Sequence, residues 1–294
     1  MAGQVAATQD AVQDKNDLTR QAGFAMQRMV QAVSNSRLLL LPLNDVPATN
    51  WPENIREQTV PPTAPIGDST LSTAVLSATL PEYQDLDADG FPDADDDRDG
   101  RIDEDLPADR DFDSASGIYL IDDDGDGSVD ESTSNADDDE AYSFANEDRI
   151  DGIDNDGDNN IDEDPGSDNN ADGCPGVCSV DDDGDGAIDE SAAADNDEDG
   201  SESDDWYNPV VFYMESGTLV ERTPVPWDED GSGGLNGRDF VTKSIAENVS
   251  RFRVERVATV AGQDALVDLT LELTSPVTGE TVSLNTRVRV GGAL

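Results

Sequence analysis

The sequence predicts an α+β protein: a long N-terminal helix packed on an antiparallel β-sheet, with a loop-rich insertion between them. Three observations predict this. Residues 1–41 space their apolar side chains at helical intervals. Residues 206–294 alternate apolar with polar side chains. Residues 82–205 hold most of the acid and little that could build a core. A Pro-rich stretch, 42–81, separates the helix from the acidic insertion.

The helix is expected from Val5, Val12, Leu18, Ala22, Ala25, Met29 and Val33, mostly three, four or seven residues apart. No Pro interrupts them. The run Leu38–Leu41 then meets Pro42, whose ring and missing N–H should end the helix. Residues 42–81 contain seven prolines and few charges, so irregular structure is expected, with one strand within Ser72–Leu80. In the C-terminal region, Val210–Met214 and Leu219–Arg222 flank Ser216-Gly217, which is a hairpin signal. Three longer strands follow: Val249–Val257, Ala265–Leu273 and Thr281–Val290. Phe252 and Val254 fall on one face, and Arg251, Arg253 and Glu255 on the other. Val267, Leu269, Leu271 and Leu273 form an inward row, with Asp268, Thr270 and Glu272 facing out. This predicts a meander with one buried face, covered by the helix.

The charge is local. The 294 residues carry 68 acids and 17 bases, a net charge of -51. Residues 81–210 alone hold 49 acids and 4 bases, net -45, and the remainder is net -6. No basic surface is available for nucleic-acid phosphates. There is no His, which excludes His-based catalysis and His zinc sites. No apolar run is long enough to span a bilayer. Met1 leads into polar sequence, so the residues given are expected to hold no secretory signal, which leaves either a cytosolic protein or a missing N-terminal segment.

Acid runs are ordinarily solvated and disordered. This one has a repeat. The pattern Asp-x-Asp-x-Asp-Gly-x-x-Asp recurs as Asp85, Asp87, Asp89, Gly90, Asp93, and as Asp95, Asp97, Asp99, Gly100, Asp103. It recurs again as Asp122, Asp124, Asp126, Gly127, Asp130, as Asp154, Asp156, Asp158, Asn159, Asp162, and as Asp181, Asp183, Asp185, Gly186, Asp189. A sixth copy, Asp195, Asp197, Asp199, Gly200, has Ser203 in the ninth position. Calcium takes six to eight oxygens, and a short loop curled around it points its first, third and fifth residues inward. The sixth must turn sharply, which suits Gly, or Asn as in Asn159. The seventh offers its backbone carbonyl, so its side chain is free to vary: Phe91, Arg101, Ser128, Asn160 and Ala187. The eighth is apolar and β-branched at Ile102, Val129, Ile161 and Ile188, a slot expected to pack on a neighbouring element. Several Ca2+ ions are therefore expected, and without them the segment should unfold by self-repulsion.

The loops depart from the EF-hand. The twelfth-position Glu is absent; Asp96 fills that place in the first copy. A Glu instead follows the ninth-position Asp at Glu104, Glu131, Glu163 and Glu190, and amphipathic helices do not flank the loops. The spacing is closer to thrombospondin type 3-like and dockerin-like repeats, which it resembles. Asp105, Asp164, Asp204 and Asp205 could complete shells. Three weaker alternations, at Asp109, Asp111, Asp113, at Asp168, Asn170, Asp172, and at Asp228, Asp230, Ser232, Gly233, are expected to be solvated turns.

Cys174 and Cys178, in Cys-Pro-Gly-Val-Cys, are the only cysteines. They are too few for zinc and spaced unlike a redox motif, so a structural disulfide is expected, and with it an oxidising compartment. No catalytic constellation is apparent, and the chain reads as a non-enzyme.

The two ends carry a further resemblance. Asp17 onward through Leu38–Leu41, Pro42 and Leu43 looks like the later part of a type IV pilin N-terminal helix. Val210–Arg222 and Ile245–Glu255, with the two strands that follow, resemble J-type minor pseudopilins and W-type minor pilins. The resemblance spans about 130 residues of this chain. It implies a non-enzymatic subunit of a bacterial type IV pilus or type II secretion pseudopilus, on the cell surface or in the periplasm, with other pilin subunits as partners. It also implies a membrane helix before the residues given, so the sequence reads as truncated ahead of it. The acidic repeats would be an insertion atypical of that family. The alternative is a secreted calcium-dependent adhesin or dockerin-like module, with the repeats as its recognition surface.

Overall fold

The computed structural model describes residues 2–42, 54–62, 74–81, 83–96, 102, 111, 113, 118–121, 207–257 and 266–292. One helix packs against two antiparallel sheets. Helix α1 runs Ala2–Asn35, 34 residues or about 51 Å of helix. The strands are β1 Leu39–Leu41, β2 Ile55–Thr59, β3 Val75–Thr79, β4 Pro209–Glu215, β5 Thr218–Pro224, β6 Phe240–Ala246, β7 Val249–Val257, β8 Leu266–Thr274 and β9 Thr281–Arg289. One sheet has the order β1-β3-β4-β5-β6 and the other β2-β7-β8-β9.

The predicted hairpin is present. Glu215 pairs with Thr218 across Ser216 and Gly217, whose φ values of 50° and 81° are those of a primed turn. Ser216 accepts the left-handed conformation without being Gly. The chain changes sheets between β6 and β7. Asn248 makes that corner at φ 59°, a conformation Asn tolerates, and its carbonyl accepts the Thr274 amide at 2.8 Å.

The alternation in the last strands behaves as expected. Val267, Leu269, Leu271, Leu273, Phe252 and Val254 are buried. With Phe212 and Leu219 of the five-stranded sheet, they form the main core. Helix α1 contributes Leu18, Ala22, Ala25, Met26, Met29 and Val33 to it. These recur at three- and four-residue steps, so one stripe faces the sheets, mainly along β9, β8 and β6.

Several expectations need correction. The helix stops at Asn35, not at Pro42, and Leu39–Leu41 form a strand. The Ser36 hydroxyl bonds the Leu38 carbonyl and meets the Thr79 hydroxyl, which turns the chain towards β3. Three consecutive leucines buried on both faces suit a strand between two layers better than a one-sided helix. Val12 does not join the helix's packed stripe and is 57% exposed. The three-strand meander forms as expected, as β7-β8-β9, but the β4-β5 hairpin belongs to the other sheet, so the C-terminal region contributes to two sheets and not one. β6 pairs with β5, and β7 pairs with β8 and with β2, a strand the sequence reading missed.

The acidic insertion is more integrated than its composition suggested. Ala94 and Ile102 pack against the main core. Ile118 and Ile121 form a second cluster with Leu41, Val75 and Val211 on the other face of the five-stranded sheet.

Candidate metal centre

The first repeat is described almost whole. Its loop is shaped by side chains capping nearby amides. Asp87 accepts the Asp89 amide at 3.2 Å, and Asp89 accepts the Phe91 amide at 2.9 Å. Gly90, in the predicted turning position, has φ 102°, a value closed to ordinary side chains. The result brings carboxylate oxygens of Asp85, Asp87 and Asp89 within 4.8 Å of one another, all three exposed. Oxygens sharing one calcium at about 2.3–2.6 Å lie no more than about 5 Å apart, so the set fits that ion.

The ninth and twelfth positions are engaged differently. Asp93 is buried and accepts from Leu86 N at 2.8 Å and Gln84 Nε2 at 2.9 Å. It clamps the loop's two ends together. Burial pushes its carboxyl above the ordinary range, the two hydrogen bonds oppose this, and Asp87 and Asp85 add to the rise. Asp96 accepts from Asn208 Nδ2 at 2.8 Å, which ties the loop's end to the residue before β4. Asp95, which opens the second repeat, is buried beside it.

The other candidates fall outside the described residues. These are Asp97, Asp99, Arg101, Asp103, Asp122, Asp124, Asp126, Ser128, Asp130, Asp154, Asp156, Asp158, Asn160 and Asp162, with Asp181, Asp183, Asp185, Ala187, Asp189, Asp195, Asp197, Asp199 and both cysteines. Of the apolar eighth-position residues, Ile102 is described, and it packs on the main core as that slot predicts.

A second cluster lies where the sequence suggested only a solvated turn. Asp228 and Asp230 are joined by buried Asp239, again within 4.8 Å. Asp239 accepts from the amides of Glu229, Asp230 and Asn236, and Asp228 accepts from those of Gly231 and Gly233. A carboxylate oxygen has capacity beyond one such bond, so these contacts fix the loop without filling its acceptors. The hydrogen bond from Ser232 N to Asp230 holds that carboxyl below its ordinary range. A signal for Asp239 was present. Counting from Asp228, the acids or oxygen-bearing residues fall at positions one, three, five, nine and twelve, with Gly233 sixth and Leu235 eighth. The two loops share a small cleft, walled by Phe91 and Pro92 on one side and Pro226 and Leu235 on the other.

Of the other two weak alternations, Asp168, Asn170 and Asp172 lie outside the described residues, as does Asp109; the expectation for Asp111 and Asp113 is corrected. Asp111 and Asp113 are buried, not solvated. Asp113 accepts the Tyr119 amide and stands 4.0 Å from Arg222 of β5.

The chain matches no family profile, no curated protein and no solved structure. Among the described residues, no helix is long and apolar enough to cross a membrane.

Proposed function

We propose that the protein is a non-enzymatic, calcium-binding structural subunit, with calcium ordering the acidic insertion. The observation that carries this is the convergence of Asp85, Asp87 and Asp89 in a loop whose spacing recurs along the insertion. Such ions neutralise charge and supply the order that a core-poor segment cannot supply itself. Asp228, Asp230 and Asp239 offer a further oxygen set of the same kind.

Within that reading, the subunit belongs to an extracytoplasmic filament of the type IV pilus or secretion pseudopilus kind. Two features support this: the pilin-like resemblance of the chain's ends, and a long helix lying on antiparallel sheets with Val12 and Phe24 outward, available to other subunits.

Calcium titration by calorimetry, with far-ultraviolet circular dichroism of the same sample in calcium and in chelator, tests the first part. Several ions bound with a gain of structure is the expected result. No binding at millimolar calcium would remove it. For the filament, cross-linking of the chain with its assembly partners should fall in chelator. Unchanged assembly would favour a separate calcium-dependent adhesive module.

A further inference from the structure

A cleft of about 220 Å³ separates the last two turns of helix α1 from strand β5. Arg28, Gln31 and Asn35 line it from the helix, spaced so that they share one face. Glu221 and Thr223, alternate residues of β5, line it from the sheet, and Tyr83 closes one end. An ion pair crosses it. Arg28 donates from Nε to both oxygens of Glu221, at 3.0 and 3.2 Å, and again from a terminal nitrogen. The Glu221 side chain is 3% exposed and that of Arg28 40%. The pair pins helix to sheet without using up either member. A guanidinium has more N–H donors, and a carboxylate more lone pairs, than this contact occupies. Asn35 donates to the Tyr83 hydroxyl at 2.7 Å, which positions the ring and leaves the amide oxygen open. Among the described residues, the Gln31 and Thr223 side chains bond no protein atom.

The lining selects its ligand by charge and by shape. Arg28 and Glu221 cancel, so the cleft favours neither an anion nor a cation, and the chain's net -51 repels anions further. What remains is a wall that mixes donors at Arg28, acceptors at Glu221 and Asn35, and groups that are both at Gln31 and Thr223. Hydroxyl groups, each donor and acceptor at once, match such a wall, and a small rigid frame lets several of them reach it together. At about 30 Å³ each, the cleft holds about seven waters, about the space of one sugar ring. Tyr83, 72% exposed, offers the negative face of its ring to the C–H face of such a ligand. We propose that this cleft binds one neutral sugar unit, free or at the end of a glycan. The site is separate from the calcium reading, since none of these residues belongs to a repeat.

Two-dimensional NMR of the full chain tests it, by titration with glucose, galactose, mannose and N-acetylglucosamine and with their methyl glycosides. At least one of these sugars should shift the Gln31, Asn35 and Thr223 signals saturably. For a ligand of about twelve non-hydrogen atoms, a Kd on the order of millimolar is expected. A methyl glycoside that binds as well as its free sugar marks a glycan end as the ligand; binding of the free sugar alone marks a soluble one. Gln31→Ala and Tyr83→Ala both alter exposed side chains, so the signals of β7 and β8 should stay in place. Each variant should weaken sugar binding about two- to tenfold. Saturable shifts that survive both variants at full affinity overturn the site. So does saturation by acetate or ammonium in place of every sugar, and so does the absence of any saturable shift well above millimolar sugar.

Discussion

Phe252 is fully buried where β7 meets the main core, between the two sheets and the helix. Replacing it with Ala removes most of a ring and leaves a cavity, so Phe252→Ala should cost about 3–5 kcal/mol in urea unfolding at fixed calcium. A loss under about 1 kcal/mol would mean that this core is loose enough to collapse. A different test belongs to Asp268 on the outer face of β8. Arg287 on β9 bonds both its oxygens, and this holds its carboxyl below the ordinary 3.8. A lowered folded value means that the unfolded chain binds the proton more readily. The stabilisation is therefore complete above 3.8 and fades as pH falls through the lower folded value. Asp268→Asn should melt below the native chain near neutral pH, and the two should converge once Asp268 of the native chain is protonated. The difference between the two chains isolates this one group from the many other carboxylates. A gap that persists unchanged into strong acid would show that the side chain acts through packing.

The elements differ in how openly the sequence announced them, and burial geometry explains the difference. β8 alternates because one face is dry and the other wet. β2 did not announce itself, because its residues are Ile-Arg-Glu-Gln-Thr and both charged ones are buried. Glu57 is held by Arg251 at 2.7 Å and Arg253 at 3.2 Å, partners brought alongside by β2–β7 pairing 194 and 196 residues away in sequence. No local pattern can show such a pair. Glu57→Ala should cost about 1–3 kcal/mol, since it strips two part-buried arginines of a shared acceptor. Exchange in β2 and β7 should report it before exchange in β4. The candidate site shows the same division. The Asp85–Asp89 alternation was visible, because a cation loop is local. Asp239 was not singled out, because it lies six residues past the Gly where the pattern seemed to end. Its buried oxygens gather three amides, so Asp239→Asn points an NH2 at N–H donors and should lower the melting temperature with or without calcium. Asp230 is exposed and holds one amide, that of Ser232, so Asp230→Asn should matter much less in chelator than in calcium. Equal effects of the two variants in chelator would deny Asp239 its structural part.

Over the whole molecule, the opposing quantities are a modest two-sheet core and a net charge of -51. The flanks hold net -6, so the electrostatic cost sits almost wholly in the insertion. Two agents can relieve it, and they act differently. Simple salt screens: the Debye length shrinks from about 30 Å at 0.01 M to about 3 Å at 1 M. Screening weakens repulsion but gives a loop no reason to take one shape. A bound calcium both cancels charge and fixes oxygens around itself, and each site held at a hundred times its dissociation constant adds about 2.7 kcal/mol to the state that binds it. At constant ionic strength, millimolar calcium should therefore raise the urea midpoint and protect the insertion from protease. Molar sodium chloride in chelator should recover part of the midpoint and little of the protection. If sodium chloride alone restored both, the carboxylates would be acting as a diffuse charge, and their regular spacing would have no role in holding ions. If calcium protects where salt does not, the spacing itself is what the ion reads, because only the arrangement of the oxygens distinguishes the two treatments.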